Sequence, residues 1–476
     1  MNTDAPWPSS DEAYIRVLRI QIKLHQWATA DRARRFDDLF NLVCDPAFLV
    51  VAWDRVRGNR GARTAGVDGV QPRSIIFGRD EFLAGVRDDL KALRFEPQMV
   101  RQTMIPKAGG KLRALGIPTA RDRVVQAALK LVLEPIFEAD FQPCSYGFRP
   151  RRRAHDAIAE IHYLTSRSYE WVLEGDIKAC FDEIDHTALV ERVRHRVGDK
   201  RVVALVKAFL RAGVLGEDGI RRDTVTGTPQ GGILSPLLAN IALSVLDEHF
   251  ARAWQQMGNN SVARIRRRRK GLATYRLVRY ADDFVVLVAG TREHAEELRR
   301  EVAEVLVPVG LRLSETKTTI AHIDEGFDFL GFRIQRHQKR GTTKRFVYTY
   351  PSKKALASII DKVRTLTRRS SHPSLAPLLR RLNPALRGWC AYFRHGVSAA
   401  TFGYLAHFSW SRVLRWIGKR HPGTTKKALR RRFYPTWNPT DDNVTMFNPG
   451  AVAITRYRYR GHHIATPWAS APASAA

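Results

Sequence analysis

The sequence predicts an α+β fold: a body with a palm-like core over about the first 345 residues, then a mainly helical region. Two observations carry this expectation. In the first part, short apolar runs that end on carboxylates alternate with stretches of helical spacing, the pattern of an α+β core. Past Pro351 the apolar spacing is helical. The chain of 476 residues, 44% of them hydrophobic, is long enough to bury several cores.

Residues 11–58 repeat apolar side chains three and four apart (Ile15, Leu18, Ile22, then Phe36, Leu39, Leu42), which predicts helices ahead of the first strands. Over residues 100–117 the pattern changes to short extended runs about Gly109-Gly110, a hairpin signal, and helix resumes over 121–137. Residues 169–177 and 275–288 read as strands, the second broken at Ala281-Asp282-Asp283. Between them, Ser235-Pro236 opens a helix over 237–250, with the hydroxyl at the cap and proline in the first turn. Asp185 is expected to cap a helix over 186–197, and Asp182 to be structural. Leu382, Leu386, Trp389 and Phe393 share one helical face, and Val413, Trp416 and Ile417 another, so a helical bundle is expected. The Ala/Ser/Pro-rich residues 465–476 are expected to be disordered.

Charge bounds the function. Lys and Arg number 79 against 47 Asp and Glu, for a net +32, and such an excess calls for a polyanion, with nucleic acid the leading partner. With 22 Phe, 13 Tyr and 10 Trp the chain is too apolar for a disordered basic tail, which excludes histone-like and protamine-like classes. Cys44, Cys144, Cys180 and Cys390 lack paired CxxC spacing, so neither a disulfide framework nor a zinc module is expected. The polar N-terminus and the lack of an 18-residue apolar run predict a cytoplasmic protein with no membrane partner.

The chemistry concentrates in carboxylates. Asp282 and Asp283 sit side by side between two apolar runs; their repulsion is relieved by a divalent cation, and Mg²⁺ prefers hard oxygens and one or two protein carboxylates. Asp176, also at the end of an apolar run, is the candidate third member. Three such groups suit a two-metal site for in-line phosphoryl transfer.

Eight blocks then occur in order: GVDGV at 66–70, IPK at 105–107 with IP at 117–118, SYGFRP at 145–150, GDIKACFDEID at 175–185, GTPQGGILSP at 227–236, YADD at 280–283, LSETK at 313–317 and FLGF at 329–332. Together they resemble the finger and palm blocks of bacterial group II intron-encoded reverse transcriptases and maturases. The resemblance implies a right-hand polymerase fold followed by a helical thumb/maturase domain. Its implied divisions are an N-terminal helical extension (1–60), fingers and palm (61–345), thumb/maturase (346–420), a basic nucleic-acid-binding region (421–464) and the tail (465–476).

The resemblance implies roles for matching positions. Asp176 and Asp282 take the metal-bridging pair, Asp283 the supporting carboxylate and the Ile177 carbonyl a backbone ligand, around two Mg²⁺ ions for which Mn²⁺ can substitute. Lys107 and Arg113 flank the Gly109-Gly110 turn and clamp an incoming dNTP. Phe181 takes the place of the sugar gate, Gln230 lies under the nucleotide between a proline and a glycine, and Lys317 stands near the triphosphate. Arg266, Arg267, Arg268, Arg269 and Lys270 form a phosphate-contacting cluster. Arg387 and Arg394 are the thumb contacts, and residues 426–432 with Arg456, Arg458 and Arg460 a basic surface for RNA or target DNA.

The implied function is RNA-directed DNA synthesis joined to intron RNA binding, splicing and retrohoming. Its expected partners are intron RNA, an RNA template with a DNA or RNA primer, dNTPs and target DNA, with a homodimer left open and the nucleoid as its place when on DNA. No cysteine follows Cys390, so an HNH-type endonuclease is not expected. Two other readings stay open: a reverse transcriptase serving CRISPR spacer acquisition or defence, and a splicing-only RNA-binding maturase. An RNA-dependent RNA polymerase is opposed by the aromatic at Phe181.

Overall fold

The computed structural model describes residues 7–75, 78–106, 112–368, 372–461 and 463–469. They fall into two compact units, one of residues 1–153, 173–320 and 462–476, the other of 154–172 and 321–461. Helices α1 (Ser10–Ala30), α2 (Phe40–Val43), α3 (Pro46–Gly58) and α4 (Arg79–Lys91) precede a hairpin of β1 (Val100–Pro106) and β2 (Leu112–Ile117). Then come α5 (Ala120–Glu138), α6 (Ala154–Thr165), β3 (Trp171–Asp176), α7 (Cys180–Glu183), α8 (His186–Arg194) and α9 (Lys200–Leu210). Two short strands, β4 (Val214–Leu215) and β5 (Arg221–Arg222), lead to α10 (Ser235–Gln256), α11 (Ser261–Arg269), β6 (Thr274–Tyr280), β7 (Asp283–Ala289) and α12 (Arg292–Leu306). Strands β8 (Thr319–His322), β9 (Phe327–Phe329), β10 (Phe332–Gln338) and β11 (Arg345–Pro351) follow, then α13 (Lys353–Leu366), α14 (Leu375–Phe393), α15 (Ala399–Arg420) and α16 (Lys426–Phe433).

The first unit is built on a sheet of order β6-β7-β3-β8, with β6 and β7 an antiparallel hairpin. Phe284 through Val288 on β7 are all at most 1% exposed. An uninterrupted buried run, rather than an alternating one, marks a strand covered on both faces. A second sheet, β2-β1-β4-β5, carries the β1-β2 hairpin.

Helix α5 contains Pro135, which has no N–H to offer the carbonyl of Leu131. Gln21 on α1 donates its Nε2 to that carbonyl at 2.7 Å, and His25 one turn later pairs with the Pro135 carbonyl at 2.9 Å. The proline therefore frees the Leu131 carbonyl, and the helix end leaves that of Pro135, as the two acceptors on which α1 docks. The other end of Gln21 accepts from Trp468 Nε1 at 3.2 Å, and Trp468 is 4% exposed. The expected disorder from Ala465 thus fails at Trp468, whose ring buries against α1; residues 470–476 lie outside the described residues.

In the second unit β9, β10 and β11 form an antiparallel sheet, and β11 runs on past residue 345. Leu382, Leu386 and Phe393 on α14 and Val413, Trp416 and Ile417 on α15 are buried, as their spacing predicts. The segment after residue 454 pairs with α6: Tyr457 Oη donates to Asp156 at 3.0 Å, Tyr459 Oη to Glu160 at 2.5 Å, and Arg460 Nη2 meets Asp156 Oδ2 at 2.5 Å. Arg460 is therefore spent within the chain, while Arg456 and Arg458 stay exposed.

Asp185 caps α8 as expected, its Oδ1 accepting from the N–H of Ala188 at 2.7 Å. Ser235 does not cap α10. The cap position is Leu234, and the Ser235 hydroxyl instead donates to the Pro229 carbonyl at 2.8 Å, tying the preceding loop to the helix. Among the described residues no helix is long and apolar enough to cross a membrane.

Candidate active site

The register of β6 and β7 pairs Tyr280 with Asp283, so Ala281 and Asp282 form a two-residue turn. Ala281 has a φ of +59°, a conformation rarely taken by residues with a Cβ. Two glycines let other backbone approach the turn. A Cβ on Gly175 of β3 would lie 2.0 Å from Cζ of Phe284, and one on Gly147 would lie 2.2 Å from the nitrogen of Ala281. Gly175→Ala therefore forces Phe284 aside, and overpacking of this kind costs about 1–3 kcal/mol. We expect a lower Tm and weakened catalysis, since Phe284 adjoins Asp283; an unchanged melting curve would mean that the ring moves without cost.

The turn is held from below by Arg279, which sequence reasoning missed. It is 0% exposed and uses its whole fork: Nε and Nη2 to Asp247 at 2.8 and 2.5 Å, Nη1 to Asn240 and to the carbonyl of Ala281, both at 2.9 Å, and Nη2 to Ser145 Oγ at 2.8 Å. The backbone of Arg279 adds bonds from its N–H to Cys144 and from Tyr146 N–H to its own carbonyl. One side chain thus joins α10, the SYGF loop and the carbonyl of the strained alanine beside Asp282. The available signal was the second of the two arginines, Arg276 and Arg279, in the run just before the acidic turn.

The three predicted carboxylates come together electrostatically. Asp283 has its carboxyl pushed up to about 6, first by loss of surrounding water and then by the negative Asp282 and Asp176, with Lys317 and Arg113 opposing the shift. Lys317 Nζ donates to Asp176 Oδ2 at 2.8 Å. On the far side of Asp176, bonds from Lys178 N–H to Arg312 and from Ser314 N–H to the Asp176 carbonyl straddle Ile177 and anchor this strand end. Among the described residues no group of three His, Cys, Asp or Glu side chains is gathered at metal-binding spacing. Asp176 is turned to the ammonium of Lys317, as expected for carboxylates that repel one another. The donor set nevertheless fits a hard cation: three carboxylates and a neighbouring backbone carbonyl, all oxygen.

Phe181 and Gln230 belong to one local scaffold. Phe181 lies in the single turn α7, entered through Ala179 at φ +42°. Its carbonyl accepts from Thr228 N–H at 2.6 Å, and that of Ile184 accepts from Gly227 N–H at 2.8 Å. The following loop is pinned to the fingers, because the Gln230 carbonyl accepts from Gly116 N–H on β2 at 2.6 Å. Gly231, at φ +112°, sits where a Cβ would be 2.5 Å from the Gly116 carbonyl. Gln126, buried on α5 and also missed in the sequence, accepts from Ile233 N–H at 2.8 Å. Lys107 and the Gly109-Gly110 turn lie outside the described residues, whereas Arg113 is exposed on β2.

Residues 105–334 match the family described as reverse transcriptase (RNA-dependent DNA polymerase), and residues 356–434 the group II intron maturase-specific domain. Protein YkfC of Escherichia coli is 37% identical over 372 residues, covering 73% of this chain and 97% of its own length. The group II intron-encoded protein LtrA of Lactococcus lactis is 30% identical over 468 residues, covering 83% of this chain and 76% of its own length. This chain belongs to the group II intron-encoded reverse transcriptases. It is an RNA-directed DNA polymerase with a maturase domain, a class that uses divalent metal such as Mg²⁺ and binds intron RNA and nucleic-acid substrates.

In this reverse transcriptase the basic cluster before the acidic hairpin is the end of α11. Arg266, Arg269 and Lys270 are exposed; Arg267 and Arg268 are half-buried, and Arg267 Nε is committed to the Ala273 carbonyl at 2.9 Å. Four cations in the last turn also suit the negative end of the helix dipole. In the maturase region Arg387 is exposed, its guanidinium 5.2 Å from the Phe447 ring centroid. Arg394 is half-buried with its Nε enclosed by protein, so it is a poorer contact than its sequence position implies. Helix α16 presents Lys426, Lys427, Arg430, Arg431 and Arg432 to solvent.

Proposed function

We propose that this polymerase transfers nucleotides by a two-metal reaction in which Asp176, Asp282, Asp283 and the Ile177 carbonyl hold two Mg²⁺ ions. The observation that carries the reading is that the charges of Asp282 and Asp176 both bear on Asp283, at the end of two strands, with Lys317 bonded to Asp176. When bound, the ions supply charge for activating a primer 3′-hydroxyl and for stabilising the leaving diphosphate. Asp176 and Asp282 orient the site from the ends of two strands, and Arg279 keeps the turn from relaxing. Arg113 and Lys107 grip the triphosphate from the finger hairpin, while Lys317 offsets negative charge where diphosphate departs. Gln230 supports the nucleotide from a loop tied to both fingers and α10.

Primer extension on an RNA template with a DNA primer, dNTPs and Mg²⁺ tests this directly, and absence of extension by the folded protein would refute it. Phe181 is assigned as the sugar gate, its ring excluding a 2′-hydroxyl. Phe181→Ala is expected to raise ribonucleotide incorporation relative to deoxynucleotide by about 10–100-fold, the roughly 1–3 kcal/mol that a small steric contact discriminates. An unchanged ratio would remove the gate from Phe181.

The exposed basic face of α16, within the maturase-matching region, supports a second role in binding and splicing the intron RNA that encodes the protein, with target DNA the acceptor in retrohoming.

A further inference from the structure

Gln126 is an amide placed deep in an apolar helix. Its neighbours on α5, Val124, Val125, Ala127, Ala128 and Leu129, are at most 2% exposed, and Gln126 itself is buried. The start of that helix is held fast, because Arg123 donates to the carbonyls of Pro118, Gly61 and Thr64, each at 2.8 Å. A polar side chain in such surroundings costs free energy unless its atoms are paired. The oxygen of Gln126 is spent on one group 107 positions away, the N–H of Ile233, at 2.8 Å.

That N–H belongs to the loop that carries Gln230. The loop is clamped on both sides of its two glycines: the Gln230 carbonyl accepts from Gly116 N–H at 2.6 Å, and the Ile233 N–H ends on Gln126. Between the clamps, Gly231 has a φ of +112°, and a Cβ on Gly232 would lie 2.6 Å from Ser235 Oγ and 3.3 Å from Gln126 Oε1. Glycines permit this close packing, and they are also the softest backbone in the loop. The stretch ahead of Pro229 is fixed independently, by Thr228 N–H on the Phe181 carbonyl at 2.6 Å, Gly227 N–H on that of Ile184 at 2.8 Å, and the Gly227 carbonyl paired with His186 Nε2 at 2.6 Å. Loss of the Gln126 acceptor therefore releases the glycine pair and Gln230 beside it, and leaves the Phe181 turn in place.

We propose that Gln126 is a positioning residue for the incoming nucleotide: from inside α5 it sets the Gln230 loop through the Ile233 N–H, and so sets nucleotide affinity through that loop alone. The proposal rests on the reading of Gln230 as the support of the nucleotide. A buried N–H without its acceptor is costly, and the loop escapes that cost by moving at its glycines, which carries Gln230 away from its place.

Single-turnover primer extension by the full chain at varied dNTP concentration tests this, giving the dNTP Kd, the maximal rate and, from the amplitude, the active fraction. Gln126→Met keeps the length of the side chain without its acceptor, and Gln126→Glu keeps an acceptor oxygen. Gln126→Met is expected to raise the dNTP Kd about tenfold with the maximal rate within about twofold of wild type, while the preference for deoxynucleotides over ribonucleotides stays unchanged. Gln126→Glu is expected to restore the wild-type Kd. An unchanged Kd in Gln126→Met, an equal rise in Gln126→Glu, or a loss of sugar preference alongside the rise in Kd overturns the proposal. Should Gln126→Met fail to fold, Gln126→Asn, which withdraws the amide by one methylene, is read in the same way. Gln230→Ala is expected to raise the Kd as well, and adding Gln126→Met to it to raise it no further, because one acts through the other; independent, multiplying effects overturn the coupling. An unchanged Kd in Gln230→Ala sinks the reading of Gln230 and this proposal with it, whereas a raised Kd there beside an unchanged one in Gln126→Met sinks this proposal alone.

Discussion

Asp282→Asn is expected to lower primer extension by at least about 10³-fold, equivalent to about 4 kcal/mol in the barrier, while Tm and RNA affinity stay at wild-type values. The substitution keeps the size of the side chain and its place on the turn but removes one negative oxygen donor from the set that would hold metal. RNA affinity is expected to survive because the exposed cations of α11 and α16 lie outside this cluster. Single-turnover extension, a melting curve and filter binding on one preparation separate these effects. Parallel loss of extension and RNA binding would mean that the carboxylates organise the RNA site too, against the division proposed above.

Arg279→Met is expected to be the most destabilising single change in the first unit. It leaves Asp247, itself 0% exposed, as a buried carboxylate without its cation, a situation that costs about 3–5 kcal/mol. In a unit of this size such a loss lowers Tm by roughly 10 °C. Arg279→Met combined with Asp247→Leu is expected to recover much of that stability, since replacing a buried pair with apolar groups is often neutral. It should not recover activity, because the bond to the Ala281 carbonyl, which holds the acidic turn, is gone in both variants. A Tm within 2 °C of wild type, measured for Arg279→Met by calorimetry, would show that the pair adds little, and recovery of activity in the double variant would remove the positioning role.

Much of the site was legible because its signals are local. An acidic turn between apolar strands announces itself within about ten residues, as the hairpin at Tyr280-Ala281-Asp282-Asp283 does, and Asp185 capping α8 depends on a neighbour three positions away. Residues whose task is set by distant partners were not legible. Arg279 reaches Asp247 across 32 positions and Ser145 across 134, and Gln126 meets Ile233 across 107. Ser235 shows the limit from the other side: a serine before a proline reads as a cap, yet the carbonyl of Pro229 competes for its hydroxyl and wins. The basic C-terminal stretch reads as a surface for RNA or target DNA, but Asp156 on α6 claims Arg460.

By itself, then, the sequence determined the polymerase family, the α+β body with its helical successor, and the acidic turn between two apolar strands, because motif order and apolar period are properties of neighbouring residues. Only the tertiary structure decided which cations are available. It buried Arg279, turned Arg123 and Arg101 onto backbone carbonyls, committed Arg460 to an aspartate, and left Arg57, Arg60, Arg63 and Arg73 facing solvent. An arginine looks the same in every sequence; its partner is chosen by whichever acceptor the fold brings within about 3 Å, and that distance is not written in the order of residues.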